Sequence, residues 1–586
     1  MSVLDYAVLV GSILAVALYG ILRTRGRRNL HDYLRGQRKQ SWFVIGLSVM
    51  ATQASAITFL STPGQGYAGG LSFVQNYFAM PLALIIISAV FLPLYRKLNV
   101  YTAYEFLGAR FDTKTRLLTA ALFLLQRGMG AGITIYAPAI VLSTVFGWSL
   151  PLTIIASSLV VIIYTVAGGS DAVTHTQKYQ MAVIFAGMIA AFVILLQKIP
   201  CSFPDALAIA GHFGKLNAVS FSADPKERYT FWTGMLGGLF LMLSYFGADQ
   251  SQVQRYIAGD NLRESRLGLM FNALFKIPMQ FGILLLGVLL FVFYLLHPAP
   301  IFFNQTAWRE MPPTAMSNDP VRYGEDPPRE IALGTLERRY KEAQNRRQGE
   351  IHAWLQLRKS GTAGEQQFID TIVQEDASIL GAFRAAAREA IHKENPAINT
   401  DDNDYIFIDF ILDNLPHGLI GLLVAAFFAA ALSSKAAELN ALASTSVIDF
   451  YRAVIRPNAS DRHYVLASKA FTIFWGLIAM GFALFAHMSE NLIQAANIVG
   501  SLFYGVILAL FFIAFFIKYI RGTAAFCGAL IGEALVLIMF ATLPISYLWY
   551  NLIGCAACIT IAVVLQALLP RDVEPRGFEP VMETNV

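Results

Sequence analysis

Roughly a dozen separate stretches of this chain are apolar for about 20 residues each, and that pattern restricts its fold more than any other feature. Hydrocarbon offers backbone N–H and C=O groups no partners, so each such stretch must satisfy them internally as a helix. The composition agrees: of 586 residues 56% are hydrophobic and only 14% charged, where a soluble domain carries about a quarter. The net charge of +5 is modest and no sign of nucleic-acid binding, because the basic residues gather in the short loops that flank apolar segments.

About thirteen membrane helices are expected, with cores near 5–22, 41–61, 75–95, 117–145, 150–168, 176–197, 230–247, 268–296, 408–449, 464–487, 493–518, 523–543 and 546–569. The ninth is too long for one straight span. An interfacial helix over 406–415 should end at Pro416, with the crossing starting near His417. The first segment follows Asp5 and precedes a basic run, the reverse of a secretory signal, so it reads as a retained helix. Loops after helices one, three, seven, nine and eleven carry Arg and Lys; the short loops near 64–70, 146–149 and 487–491 carry none. The N-terminus is therefore expected outside and the C-terminus in the cytoplasm, in the plasma (inner) membrane.

The polar block 298–405 is expected outside as a helical hairpin over the outer mouth, or as a solvated insertion. A docking site for a partner protein is one use for it. Four cysteines make no disulfide framework, and the Cys555–Cys558 spacing suits small residues packing between helices. No nucleophile–base set or metal-ligand spacing points to an enzyme; His175 and His417 stand alone.

Polar residues inside the spans carry the functional signal. Helix two reads Ala51-Thr52-Gln53-Ala54-Ser55-Ala56-Ile57-Thr58, then Ser61-Thr62-Pro63-Gly64. Small residues with Pro63-Gly64 permit unwinding, which frees carbonyls to ligate a cation. Helix nine carries Ser433, Ser434, Lys435, Glu438 and Asn440 deep in apolar text. Lys435 and Glu438 are three apart and can pair; intramembrane charges mark a functional interior. Arg127 lies roughly 15 Å into helix four. A guanidinium there needs a partner: a substrate carboxylate, or Asp249 or Glu438 from another helix. The run Asp249 to Arg255 closes helix seven as a gate or a polar helix end.

Four motifs in order resemble the sodium:solute symporter family: Ser55-Ala56-Ile57-Thr58-Phe59 with Gly66-Tyr67; Leu122 to Gln126 with Ile135 to Ala139; Asp249 to Arg255; and Ala430 to Ser434 with Asn440, Asp449 and Tyr451. They are most similar to its sialic-acid and its monocarboxylate and multivitamin branches. The resemblance implies an all-α polytopic LeuT-type fold with two inverted five-helix repeats, 41–197 and 230–520, the second interrupted by 298–405. An extra N-terminal helix and basic loop (1–40), an outer loop (198–229), two further helices (521–569) and a short tail (570–586) complete it. It implies Na+ as coupling ion, held by carbonyls of Ala51, Ala54 and Ala430 and hydroxyls of Ser433 and Ser434. By position the substrate site would include Gln53, Ser55, Thr58, Gln75, Tyr77 and Phe78, with Gln494 and Arg127.

Where the family commonly has an Asp supporting the sodium site, this chain has Gln177, and Lys435 adds a positive charge nearby. Carbonyl and hydroxyl dipoles can still hold sodium. Gln177, Asp249, Lys435 and Glu438 are thus candidate coupling or gating residues. The expectation is a sodium-coupled symporter importing a small polar organic solute, with Arg127 favouring a carboxylate. The alternatives are proton-coupled or cation-independent transport using Lys435 and Glu438, and a membrane sensor using the insertion.

Overall fold

The computed structural model describes residues 1–12, 41–98, 100–257, 259–312, 316, 333–360, 363–396, 398–485 and 490–569, with the side chains of 98, 167–179 and 359–377 left out. Among the described residues every regular element is helical. Among the described residues nine helices are long and apolar enough to cross a membrane, and four shorter ones are also apolar.

We label the helices used below α1 (Val3–Ser12), α2 (Trp42–Gln53), α3 (Ala56–Gly69), α4 (Met80–Ile86), α5 (Thr113–Phe146), α6 (Leu150–Lys198), α7 (Gly238–Gly247), α8 (Leu262–Leu296), α9 (Leu333–Ser360), α10 (Ala363–Glu394), α11 (Ile406–Asn414), α12 (Leu419–Thr445), α13 (Asp461–Phe485), α14 (Leu492–Phe516), α15 (Gly522–Thr542) and α16 (Leu548–Leu568).

The centre of the molecule is α12. Its most apolar window is 89% buried, so it meets protein on nearly every side, against α6, α5 and α13. A helix that is apolar all round belongs in such a position. Helices α2 and α3 pack along α8 on one flank, and α14, α15 and α16 form a second group that meets α5. Close approach of α3 to α8 needs glycine: a Cβ on Gly287 would lie 2.1 Å from the Pro63 carbonyl oxygen, and one on Gly66 2.4 Å from that of Leu284.

Two boundaries depart from expectation. Pro63 lies inside α3 and does not end it; the interruption falls earlier, between Gln53 and Ala56. The chain from Leu150 to Lys198 is one helix, where two spans are expected. Its connecting residues, Gly168 to Gln177, include no proline to forbid helical φ and ψ.

The expected break before the ninth span lies at Leu415–Gly418, between α11 and α12. Gly418 adopts φ +89°, a conformation natural to glycine. The freed amides at the start of α12 are capped from afar: the Asp5 carboxylate accepts the N–H of Gly418 at 2.6 Å and of Gly421 at 3.3 Å, and contacts His417 Nδ1 at 2.9 Å. The start of α1 and the start of α12 therefore share one face, the face that bears the insertion.

The insertion is a helical hairpin, α9 against α10, with a small core of its own that includes Phe302, Trp308, Leu336, Tyr340, Ala387 and Ile391. Arg384 and Arg388 clamp the buried Asp402 at 2.8 and 2.5 Å and tie the hairpin to the chain re-entering the core.

Candidate substrate and ion site

The interruption in the second apolar segment is sharp. The Ala54 N–H bonds the Met50 carbonyl at 2.6 Å, and the next turn begins with Thr58 N–H on Ser55 C=O at 2.9 Å. Ser55, extended at φ −72°, ψ 179°, starts α3, as serine often does at an N-cap. The last carbonyls of a helix lack intrahelical donors, so those of Ala51, Thr52 and Gln53 leave the ladder here. The Gln53 carbonyl accepts a long bond from Thr58 Oγ1 at 3.4 Å.

This break opens on an interior cavity of about 100 Å³. Thr52, Gln53, Ser55 and Thr58 line one side, Arg127 and Thr134 of α5 another, with Tyr77, Tyr245, Glu438, Asn497 and Tyr504 closing it. Four polar atoms at its wall lack a hydrogen-bond partner among the described residues: Gln53 Oε1, Gln126 Oε1, Arg127 Nε and Asn497 Nδ2. Unsatisfied buried polar groups cost about 1–3 kcal/mol each, so this surface is arranged for a polar occupant.

An ion network forms the far wall. The Arg127 guanidinium bonds Asp249, reaches Glu438 Oε1 at 3.4 Å and donates to the Tyr504 hydroxyl at 2.9 Å. Tyr504 donates in turn to Asp249 at 2.7 Å. Glu438 also accepts from Lys435 at 2.6 Å and from Thr134 at 3.1 Å. Lys435 makes a further bond, at 3.3 Å, to the Ala131 carbonyl on α5. Arg127 is thus engaged by both protein carboxylates named as alternatives from sequence, while its Nε has no hydrogen-bond partner among the described residues.

On α12, Ser433 and Ser434 hydroxyls donate to the Ala430 and Ala431 carbonyls, each at 3.2 Å. Their lone pairs stay available as acceptors, and α2, with Ala51 near its end, packs against α12. A set of carbonyl and hydroxyl oxygens without a carboxylate suits a hard monovalent cation. The Gln177 side chain lies outside the described residues.

Other expected substrate residues are placed elsewhere. Gln75 is fully buried and holds the loop ahead of the Thr233–Gly247 segment, donating to Tyr229 C=O at 2.7 Å and accepting Ser220 N–H at 3.0 Å. Gln494 donates to the Tyr229 hydroxyl at 3.0 Å. Phe78 and Ala54 do not line the cavity, whereas Tyr77 does.

Polar contacts also tie the helices together toward both ends of the bundle. Toward the insertion, Asn491 donates to Gln65 at 2.6 Å and Asp404 accepts the Leu492 N–H that opens α14 at 3.1 Å. Toward the opposite face, Asp449 joins Arg116 at 2.7 Å and Thr102 at 3.0 Å, and Gln250 bonds Tyr101 C=O at 2.9 Å.

Comparison with known proteins gives a consistent result. Residues 33–307 and 377–532 match the sodium:solute symporter family. The chain belongs to that family. The human sodium-coupled monocarboxylate transporter 1 is 27% identical over 536 residues, covering 91% of this chain and 72% of that protein. The sodium-dependent multivitamin transporter of Oryctolagus cuniculus is 26% identical, over 91% and 69%. A solved Na+-coupled sialic acid symporter in a substrate-bound outward-open state superposes with TM-score 0.71 at 23% identity, over 97% and 98% of the two chains. This sodium:solute symporter is therefore a sodium-coupled integral membrane transporter and not an enzyme.

Sequence reasoning passed over one residue of the symporter. Lys276, on α8, is fully buried, and its nitrogen finds no hydrogen-bond partner among the described residues. It stands 5.4 Å from the centre of the Tyr77 ring, behind the cavity wall. Asn272 and Gln280, one turn to either side, also leave polar atoms unpaired. The signal was present: a lysine far inside an apolar run is a functional candidate by default.

Proposed function

We propose that this symporter couples inward sodium movement to uptake of a small monocarboxylate, alternating access to the cavity at the helix break. The observation that carries the reading is the break at Ala54–Ser55, which joins freed carbonyls to a cavity lined by the buried Arg127. Sodium is held by the carbonyls of Ala51, Ala54 and Ala430 and the hydroxyls of Ser433 and Ser434. The solute lies against Gln53, Ser55, Thr58 and Tyr77, its carboxylate toward Arg127 and Asn497. The sodium-coupled transporters of monocarboxylates and vitamins among its relatives support an anionic solute.

Sodium closes the site by drawing the end of α2 toward α12. The two sets of polar contacts then open in turn: Gln65–Asn491 with Asp404 first, the Asp449–Arg116 set second. The apolar helices cross the membrane, with 41–197 and 230–520 as inverted repeats. The N-terminus and insertion lie outside the plasma membrane and the C-terminus inside, which the basic loops and the shared face of α1 and α12 support. An inside-negative potential adds about 2.3 kcal/mol per inward charge per 100 mV.

The test is uptake into proteoliposomes of C2–C4 monocarboxylates, sugars, sialic acid and amino acids under an inward sodium gradient. Monocarboxylate uptake should collapse when choline replaces sodium, and Ser434→Ala should raise the sodium concentration for half-maximal uptake about tenfold, a loss of ~1.4 kcal/mol. Uptake indifferent to sodium but stimulated by acid would overturn the reading in favour of proton coupling.

A further inference from the structure

A second and larger cavity, about 280 Å³, lies between the insertion and the membrane core. Its wall combines Tyr67 of α3, Lys215 of the loop following Phe203–His212, Tyr340 and Arg347 of α9, and Arg384 and Arg388 of α10. Four cationic side chains thus face one cleft, and no Asp or Glu is among the described residues that line it. Asp402 is fully buried behind Arg384 and Arg388 and also accepts the Phe303 N–H at 2.5 Å. One carboxylate shared by two arginines leaves a positive charge over at the hairpin wall, and low-dielectric surroundings focus that field.

Lys215 is the informative member. Its ammonium donates to the Ala68 carbonyl at 2.6 Å and rests 4.7 Å from the centre of the Phe291 ring. It forms no ion pair among the described residues. An ammonium carries three donors, so a carbonyl and a ring face leave it able to bind an anion. Burial, with no acid to offset it, pushes Lys215 down to about 8. Across the cleft Arg347 lies 6.0 Å from the Phe213 ring and Arg384 5.0 Å from the Phe303 ring. Planar guanidinium groups backed by aromatic faces suit a carboxylate.

We propose that this cleft is a second ligand site, separate from the central cavity, which binds a small monovalent anion between Lys215 and the arginines of the insertion hairpin. The ligand chemistry is that of a short organic carboxylate or a halide. The insertion completes the site, because three of its four cations come from α9 and α10. This inference does not depend on the central cavity or on which solute is carried.

The test uses the full chain in nanodiscs without sodium, at pH 7.5 and constant ionic strength, with a bulky sulfonate as the reference anion. A brief pulse of a water-soluble N-hydroxysuccinimide ester acylates accessible amines, and mass spectrometry quantifies Lys215 against the exposed Lys226. Sodium-free propanoate or chloride at tens of millimolar should reduce Lys215 acylation at least fivefold and leave Lys226 unchanged. Protection by propanoate alone assigns the site to organic carboxylates; protection by both assigns it to monovalent anions generally. Arg347→Gln should abolish the protection, and Thr58→Val, in the central cavity, should preserve it. Equal acylation with and without both anions in the unaltered chain would overturn the proposal, as would protection that survives Arg347→Gln and is lost in Thr58→Val. No arm reads transport, so failure here leaves the sodium-coupled reading standing, and failure of that reading leaves this one.

Discussion

At the scale of single residues, the buried ion network poses the sharpest energetic question. Arg127 and Lys435 face Asp249 and Glu438 among helices α5, α12 and α14, and removing one partner strands a charge in a low-dielectric interior. Such a loss costs about 3–5 kcal/mol. Arg127→Met should therefore lower the thermal unfolding midpoint of the purified protein markedly. Asp249→Asn in the same chain should recover part of the loss, because it neutralises the stranded carboxylate and keeps the oxygen that accepts the Ser251 N–H at 2.8 Å. A double-mutant cycle with strictly additive effects would refute the coupling. Sequence made this network half legible. Lys435 and Glu438 are three apart on one helix, so their pairing followed from spacing. Which distant carboxylate meets Arg127 did not, because tertiary partners leave no trace in local periodicity. Lys276 escaped for a related reason: Asn272 and Gln280 flank it one turn to either side, but no acid lies near it in sequence to suggest a partner.

At the scale of elements, the apolar segments were legible because hydrocarbon leaves a chain one way to satisfy its backbone. The position of the helix break was not. Pro63-Gly64 carries the stronger breaking chemistry, yet the backbone interrupts at Ala54–Ser55, where a serine can start the next helix. The proline is accommodated because glycines let α8 and the chain returning from the insertion press against α3. Gly64 faces the Asn403 carbonyl, where an added Cβ would come within 2.1 Å. Two glycines of α8 test this packing. Gly287→Ala would drive a methyl into the Pro63 carbonyl and should destabilise by about 1–3 kcal/mol, read as a lower unfolding midpoint. Gly282→Ala meets nothing within 4 Å and should be neutral or stabilising by up to about 1 kcal/mol, alanine being the better helix former. Equal effects at the two positions would show that the α3–α8 contact is loose.

At the scale of the whole molecule, proton occupancy is coupled to stability where the chain re-enters the core after the insertion. Asp404 is buried beside Asp401, and burial first, then that neighbouring charge, pushes its carboxyl up to about 7. The raised value means the folded, closed protein favours the neutral form. The associated stability is complete at acid pH and is lost as pH rises through about 7. Asp404→Asn, which mimics the neutral form, should raise the unfolding midpoint above that of the unaltered chain at pH 8, by an offset that shrinks at pH 5 and vanishes only below the free carboxyl value of 3.8. A constant offset at both values would remove Asp404 as the titrating group.

The four residues Asp401 to Asp404 have a mechanical consequence. Asp402 is gripped by the hairpin arginines, the Asn403 backbone presses on Gly64 of α3 about two and a half turns beyond the break, and Asp404 holds the first amide of α14. A single tetrapeptide thus pins the hairpin to both α3 and α14. An antibody fragment that levers the hairpin by even a small angle would pull on that pin, and would throttle or free the transport cycle without touching the solute or the ion.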